Sequence, residues 1–407
     1  MRYLFVAAAI VVAHPQALAQ LVESVDVDTL VRRARSSPNV ALAEVGVETA
    51  EATYRGTQPL LPNPQVSLSF GRRQPANGFE VQAQIQQPLD IAGQRRSRRR
   101  AARMGVESAE RSHQWSLRFA EQEVRRWAYR AIIERERIAI ATQAREVAER
   151  IRTTALMRVE AGEASPLDVL LAETEVARAR RNELAAELRE QRARTQLAQL
   201  VDWSDPQVPV VRGELPELSE PAPLEQLVAR TRESLALTPA RAALRASEAA
   251  VEAADRGAVP NPSVGAYYGR EGDAQTAHVW LVTLGLPLPL WRRNQPARET
   301  ARASVFQRER ELEVAERMIR SRVALLRATL AAAYATARVY ETTGLQSVRQ
   351  SLARTQRAFE LGELSLLDVT QMRQRVLLAL DEWMEARRTY YDAATRLEAF
   401  VTESRED

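Results

Sequence analysis

Three stretches of this sequence concentrate side chains that could do chemistry. Glu160-Ala161-Gly162-Glu163-Ala164-Ser165 stands just before Leu167-Asp168-Val169. The arrangement returns as Glu360-Leu361-Gly362-Glu363-Leu364-Ser365 before Leu367-Asp368-Val369. This is the chemistry of one helix ending and another beginning. Gly162 and Gly362 allow the left-handed backbone that stops a helix, and Ser165 and Ser365 can cap the next. Asp168 and Asp368 then fall at a helix start, where a carboxylate suits the dipole. The third stretch is Arg95, Arg96, Arg98, Arg99 and Arg100, at the head of a proline-free run. Positive charge opposes the dipole there, so the cluster calls for phosphate partners or else lies on a solvated face.

None of this is the equipment of an enzyme, which would need convergent acids, histidines or a phosphate-binding loop. Cysteine is absent, which removes disulfides, thiolate metal sites and a lipid-modified cysteine after the leader. The histidines are isolated, His14 in the leader and His113 and His278 far beyond it, so neither a metal site nor a cofactor is expected. All 57 basic residues are arginine, against 53 acids. The two signs interleave from Glu107 to Arg152, as on a solvated helix surface. A nucleic-acid binder would show a net positive face with interleaved aromatics, and none is present.

Residues 1–19 read as a secretory signal, with Arg2, an apolar core from Leu4 to Ala13, and Ala17-Leu18-Ala19 before Gln20. No later run approaches ~20 uninterrupted apolar residues, so no transmembrane helix is expected and a membrane crossing would have to use strands.

The elements that carry these stretches occur twice. Pro38, Glu51, Arg55 and Gly56 return at a constant offset as Pro239, Glu252, Arg256 and Gly257. Pro62-Asn63-Pro64 returns as Pro260-Asn261-Pro262, and Val66, Gly71 and Arg72 as Val264, Gly269 and Arg270. Pro88-Leu89-Asp90-Ile91 corresponds to Pro287-Leu288-Pro289-Leu290, each followed by an arginine pair, Arg95-Arg96 and Arg292-Arg293. The chain is a tandem duplication: a first repeat over 20–201, a proline-rich linker over 202–223 and a second repeat over 224–407.

Each repeat begins with an alanine- and glutamate-rich helix, Val40 to Thr57 and Ala240 to Gly257. A strand pair follows, at about 64–88 and again at about 262–287. Phe79, Val81, Ala83 and Ile85 alternate with Glu80, Gln82, Gln84 and Gln86, and Val66, Leu68 and Phe70 with Ser67, Ser69 and Gly71. Gln74-Pro75-Ala76-Asn77-Gly78 and Glu271-Gly272-Asp273 supply the turns. Strands of ~9–11 residues with one apolar face suit an outer-membrane barrel, and equally a small soluble sheet of half-buried hairpins.

Proline-free runs over about 95–160 and 297–361 then predict long helices, with return helices over 167–201 and 367–402. Val323, Leu326, Leu330, Ala333, Ala337 and Tyr340 step by threes and fours, the coiled-coil spacing. About 65 helical residues make a rod of ~100 Å. Such rods stand side by side in a bundle or line a tube, and the alanine-rich seam fits either. Four strands cannot close a barrel, so a membrane reading requires several chains to pool their hairpins.

On these residues the chain resembles the TolC-like outer membrane efflux proteins. The duplicated Pro-Asn-Pro lead-ins, the Gln87-Pro88-Leu89-Asp90-Ile91-Ala92-Gly93-Gln94-Arg95-Arg96 exit and the repeated Gly-Glu-x-Ser-x-x-Asp-Val turns carry the resemblance. The Pro-Leu-x-x-x-Gly-x-Arg exit is most similar to the CzcC-like branch, associated with heavy-metal efflux. The resemblance implies a mainly α fold with a small β membrane part. Three copies would build a twelve-stranded barrel in the outer membrane, continued through the periplasm as an α-helical barrel. It implies an exit duct of a tripartite, RND-type efflux system, with a periplasmic adaptor and an inner-membrane pump as partners and heavy-metal cations as one class of cargo.

The tips, Gly162, Glu163, Ser165, Asp168, Gly362, Glu363 and Ser365, would meet the adaptor. Asp368 falls where the family has a pore-constricting aspartate, while Gln371 replaces the family's second. The arginine cluster would face lipid headgroups at the membrane rim. Tyr267, Tyr268, Trp280 and Trp291 fit an aromatic girdle or ordinary packing. The competing reading is a periplasmic coiled-coil adaptor or scaffold. Such proteins usually have one helical hairpin flanked by strand-rich segments.

Overall fold

A computed structural model of the chain describes residues 24–57, 62–73, 78–272, 276–291, 293–344, 350–351, 354–355, 357–359, 361 and 363–402. The expected leader, the turn residues Gln74–Asn77 and Asp273, and also Arg292, Glu360 and Gly362, lie outside the described residues. The elements in chain order are β1 (Ser24–Asp26), α1 (Val27–Arg33), α2 (Pro38–Gly56), β2 (Gln65–Arg73), β3 (Gly78–Pro88), α3 (Gln94–Glu160) and α4 (Pro166–Leu200). Then come β4 (Val210–Arg212), α5 (Leu224–Thr231), α6 (Thr238–Arg256), β5 (Ser263–Gly272), β6 (Thr276–Gly285), α7 (Gln295–Val339) and α8 (Leu366–Val401). No helix among the described residues is long and apolar enough to cross a membrane. The chain divides into two compact units.

One unit holds Ala34–Arg126, Leu218–Ser347 and Ala379 onward, and with them the sheet. Its strands run in the order β2-β3-β5-β6, all antiparallel, so the two hairpins join through β3 and β5. Directly opposed residues share a face. Leu68 opposes Ala83, Ala83 opposes Tyr268, and Tyr268 opposes Trp280. One face therefore collects Val66, Leu68, Phe70, Val81, Ile85, Val264, Val282 and Leu284. The other carries Ser67, Ser69, Gln82, Gln84, Gln86, Gly265 and Thr283. On the apolar face Val282 and Leu284 are 81% and 85% exposed, an outward apolar surface that water does not tolerate cheaply. Tyr267 opposes Leu281 on the mixed face, so of the four aromatic girdle candidates only Tyr268 and Trp280 share the apolar side of the strands.

The Pro-Asn-Pro lead-ins are docked by the chain that leaves the sheet. Gln87 Nε2 donates to Pro62 O at 2.7 Å, Leu89 N to Pro262 O at 2.7 Å, and Gln94 Nε2 to Asn261 Oδ1 at 2.6 Å. In the same unit the coiled-coil seam of α7 is its inner side: Val323, Leu326, Leu330, Ala333 and Ala337 are buried. The second rod departs from expectation, because α7 ends at Val339 and passes into a π-helical turn at Tyr340–Gly344. The first repeat has Ala144 where this one has Gly344, and glycine costs about 1 kcal/mol of helix propensity relative to alanine. Thr342 Oγ1 also donates back to Arg338 O at 2.9 Å, a bond that bends helices.

Among the described residues, the other unit holds 24–33, 127–217 and 350–378. The far part of α3 and α4 run antiparallel, as their cross-contacts show. Glu134 meets Arg189, and Thr142 and Arg145 meet Glu183, at 2.7 to 3.2 Å. Ala172, Ala179, Ala186 and Ala193, seven apart, are all buried on α4, which lets neighbouring backbones approach closely. Part of the proline-rich 202–223 segment is tied into this unit. Its Val210–Arg212 pairs in parallel with Ser24–Asp26, Val208 and Val211 are buried, and Arg194 and Arg135 donate to their carbonyls, each at 2.7 Å.

Gly265 sits where the two hairpins meet, and a Cβ there would collide with the Ile85 carbonyl oxygen and lie 2.8 Å from Thr283 Oγ1. At Gly71 a Cβ would meet nothing nearer than 3.9 Å. Gly265→Ala is expected to disrupt the β3–β5 ladder and lower the yield of detergent-folded protein. Gly71→Ala should leave that yield unchanged, as read by heat-modified electrophoretic migration.

Candidate functional site

The duplicated turns are built from local hydrogen bonds. At the end of α3, Gly162 adopts φ +78°, its N–H donates to Val159 O at 3.0 Å, and the Glu163 N–H reaches Arg158 O at 2.8 Å. These two bonds close the last helical turn in the manner of a Schellman motif. Ser165 Oγ then accepts from Leu167 N at 3.2 Å, while the Ser165 N–H donates to Asp168 Oδ2 at 3.2 Å. The second turn repeats the device: Glu363 N donates to Ala358 O at 2.9 Å. Ser365 donates to Asp368 Oδ2 through its N–H at 3.3 Å and its hydroxyl at 2.6 Å. Both aspartates therefore complete capping boxes, a physical reason for their recurrence that needs no passing ion. In Asp368 both bonds use Oδ2, and the residue is exposed, as is Gln371 one turn on.

The turns pack on one core within this unit. Val147, Ile151 and Ala155 of α3 and Ala172 of α4 meet Phe359, Leu366 and Val369 of the second hairpin. The Arg158 guanidinium stacks over the Phe359 ring at 5.4 Å, a cation–π contact that ties the first turn to the second hairpin. Leu167, Leu170, Leu361 and Leu367 beside the turns remain exposed.

One turn deeper lies a group that sequence reading missed. Glu175 and Arg373 are both almost wholly buried and paired at 2.7 Å, joining α4 to α8. Gln374 and Arg178 donate to the other carboxylate oxygen at 3.1 and 2.9 Å. Burial pushes the Arg373 guanidinium below its ordinary range, and the Glu175 carboxylate opposes that shift. The signal was an acid three residues after Ala172, on the alanine side of α4, whose other buried residues are all apolar.

The arginine cluster does not act as one group. Asp90 accepts from the backbone N–H of Gln94 at 2.9 Å and from that of Arg95, so a carboxylate answers the dipole at the start of α3. Arg99 donates to the Tyr54 hydroxyl at 3.1 Å, and Arg100 to Glu252 at 2.9 Å. Arg96 and Arg98 are exposed. In the sequence Asp90 and Glu252 stand out only as members of the repeated motifs, and nothing there ties them or Tyr54 to the arginines. Among the described residues no three His, Asp or Glu side chains gather as a metal-ligand set.

A two-repeat chain of long helices with one outward-apolar sheet is the build of an outer-membrane channel protomer. The family model described as outer membrane efflux protein matches residues 30–201 and 230–402, and the chain belongs to that family, as a protein of the outer membrane. The cobalt-zinc-cadmium resistance protein CzcC of Cupriavidus metallidurans is 26% identical over 376 residues, covering 90% of this chain and 87% of CzcC. Solved structures share the fold. CusC superposes with a TM-score of 0.72 at 18% identity, over 93% of this chain and 92% of CusC. The VceC outer membrane protein of Vibrio cholerae gives 0.72 at 16% identity, over 93% and 97%. The Campylobacter jejuni CmeC outer membrane channel gives 0.74 at 16%, over 94% and 87%.

Breaking a buried ion pair by removing one partner costs about 3–5 kcal/mol, because a charge is left unpaired. Arg373→Met is accordingly expected to lower the thermal unfolding temperature of the purified protein. The double change Glu175→Met/Arg373→Met should recover most of the loss.

Proposed function

We propose that three copies of this chain pool their sheets into one twelve-stranded barrel and continue it inward as a helical tube. The assembly is the passive exit duct of a tripartite efflux system. The observation that carries this reading is the sheet, with its exposed apolar face and its edge strands β2 and β6, which have no outer neighbour among the described residues. Hydrocarbon does not tolerate open strand edges, so closure must come from other copies. The polar face, rich in serine and glutamine, then lines the water-filled side.

The capped turns are the far ends of the hairpins, the parts that meet a periplasmic adaptor and, through it, an inner-membrane RND pump. The exposed leucines beside them (Leu167, Leu170, Leu361 and Leu367) favour such a contact, since unpartnered apolar side chains gather at docking surfaces. Divalent metal cations are the cargo class favoured by the likeness to CzcC. Asp368 supplies the constriction in this reading: its carboxylate is held through Oδ2 by Ser365 and is exposed, and three copies would set it in a ring. Gln371, exposed one turn further, adds a neutral polar ring.

Purified detergent-solubilised protein is expected to conduct ions across a planar bilayer and to be blocked by a trivalent cation. Asp368→Asn should weaken that block by at least ~10-fold, since the ring acts through its field. Absence of conductance would overturn the duct, and an unchanged block in the variant would overturn the ring.

A further inference from the structure

Where α3 begins, side chains of α2, α3 and α6 line an open, concave cavity of about 640 Å³. Its wall carries five guanidinium groups, those of Arg96, Arg99, Arg100, Arg103 and Arg256, against the single carboxylate of Glu252. Two of the five already have partners in the wall. Arg99 is held by the Tyr54 hydroxyl and lies 5.4 Å from the centre of that ring, and Arg100 is held by Glu252. Arg96, Arg103 and Arg256 have no ion-pair partner among the described residues. Three uncompensated forks of N–H donors around a concave wall concentrate positive potential, and planar guanidinium groups match phosphate oxygens two at a time.

The position of the cavity narrows the source of that phosphate. Ala92 and Gly93, just past the end of β3, line it. Pro88, Ser263 and Gly285 are neighbours in the ladder, so both strand exits and the second Pro-Asn-Pro lead-in lie at this end of the sheet. The exits are apolar and outward. Leu286, Leu288, Leu290 and Trp291 follow β6 and Ile91 follows β3, each more than 60% exposed. Guanidinium groups at the same end of the sheet as exposed leucine and tryptophan, below an apolar strand face, reproduce the layering of a headgroup boundary.

We infer that this cavity binds the phosphate of a membrane lipid headgroup. Arg96, Arg103 and Arg256 clamp the phosphate oxygens, and the Arg99–Tyr54 and Arg100–Glu252 contacts hold the frame. The acyl chains lie along the exposed leucines and Trp291. The inference rests on the membrane place of the sheet in the reading above, but not on conduction through it.

The test compares the delipidated wild-type protein with Arg96→Gln/Arg256→Gln and with Arg98→Gln, which changes the same helical turn outside the cavity. The probes are dihexanoyl phosphatidylglycerol and inorganic phosphate, each titrated by calorimetry in an uncharged detergent. The wild type should bind the lipid at least ~10-fold more tightly than phosphate, and the double variant should lose at least ~10-fold for the lipid, as expected for two charge-assisted contacts. Arg98→Gln should match the wild type. Equal affinity for phosphate and lipid would overturn the lipid assignment, an equal loss in Arg98→Gln would reduce the effect to surface charge, and no binding would remove the site. Should the double variant not fold, Arg103→Gln alone carries the same comparison, with a loss of at least ~3-fold. Bilayer conductance measured on the same samples separates the two ideas. Normal conductance without lipid binding overturns this inference alone, and lipid binding without conductance overturns the duct alone.

Discussion

The antiparallel pairing of β3 with β5 joins hairpins from different repeats, and its register decides which way every side chain of the sheet points. Ala83 faces Tyr268 and Ile85 faces Ala266, so the apolar sides of both hairpins coincide. A slip of one residue would turn Gln82 and Gln84 outward with Tyr268 and Ala266, mixing polar and apolar groups on both faces. Both strand exits, the docked Pro-Asn-Pro segments and the starts of the long helices take their positions from that ladder. The glycine at 265 is the local cost of bringing the two backbones together.

Away from the sheet, the protein relies on small side chains and arginine. Alanine repeated every seven residues along α4 lets helices lie close, and the ion pairs Arg145–Glu183 and Arg189–Glu134 join α3 to α4. Each keeps a partly exposed arginine, where water weakens the attraction. Glu175 and Arg373 differ because they are buried. Such a pair is a weak source of stability and a strong penalty on wrong alignment, so it sets how α8 lies against α4 near the capped turns.

Much of this architecture was legible. The period of two in Phe79, Val81, Ala83 and Ile85 gave β3 its faces, and absence of proline gave α3 its length. The repeated Gly-Glu-x-Ser turns gave the hairpin ends, since caps are set by a few adjacent residues. What escaped was set by distant contacts or by weak local preference. Alternation says nothing about a strand's partner, so the β3–β5 junction could not be read from it. The three-residue strands at Ser24–Asp26 and Val210–Arg212 are too short to show a period. The π-helical turn at Tyr340–Gly344 goes with weak local preferences, a glycine where the first repeat has alanine and a threonine bonded back to the helix. Of the site, the turn residues were visible, whereas Tyr54 and Glu252 reach the arginine cluster only through packing of α2 and α6 on α3.

The β3–β5 junction also bears on the order in which the molecule is made. Each hairpin, of strands or of helices, closes between near neighbours in the chain, and such contacts form early because little chain entropy is lost. Ile85 and Ala266, by contrast, are roughly 180 residues apart, and closing a loop of that size is slow relative to local pairing. Loop-closure entropy thus favours local hairpins, of strands or of helices, before the β3–β5 junction that unites the apolar face.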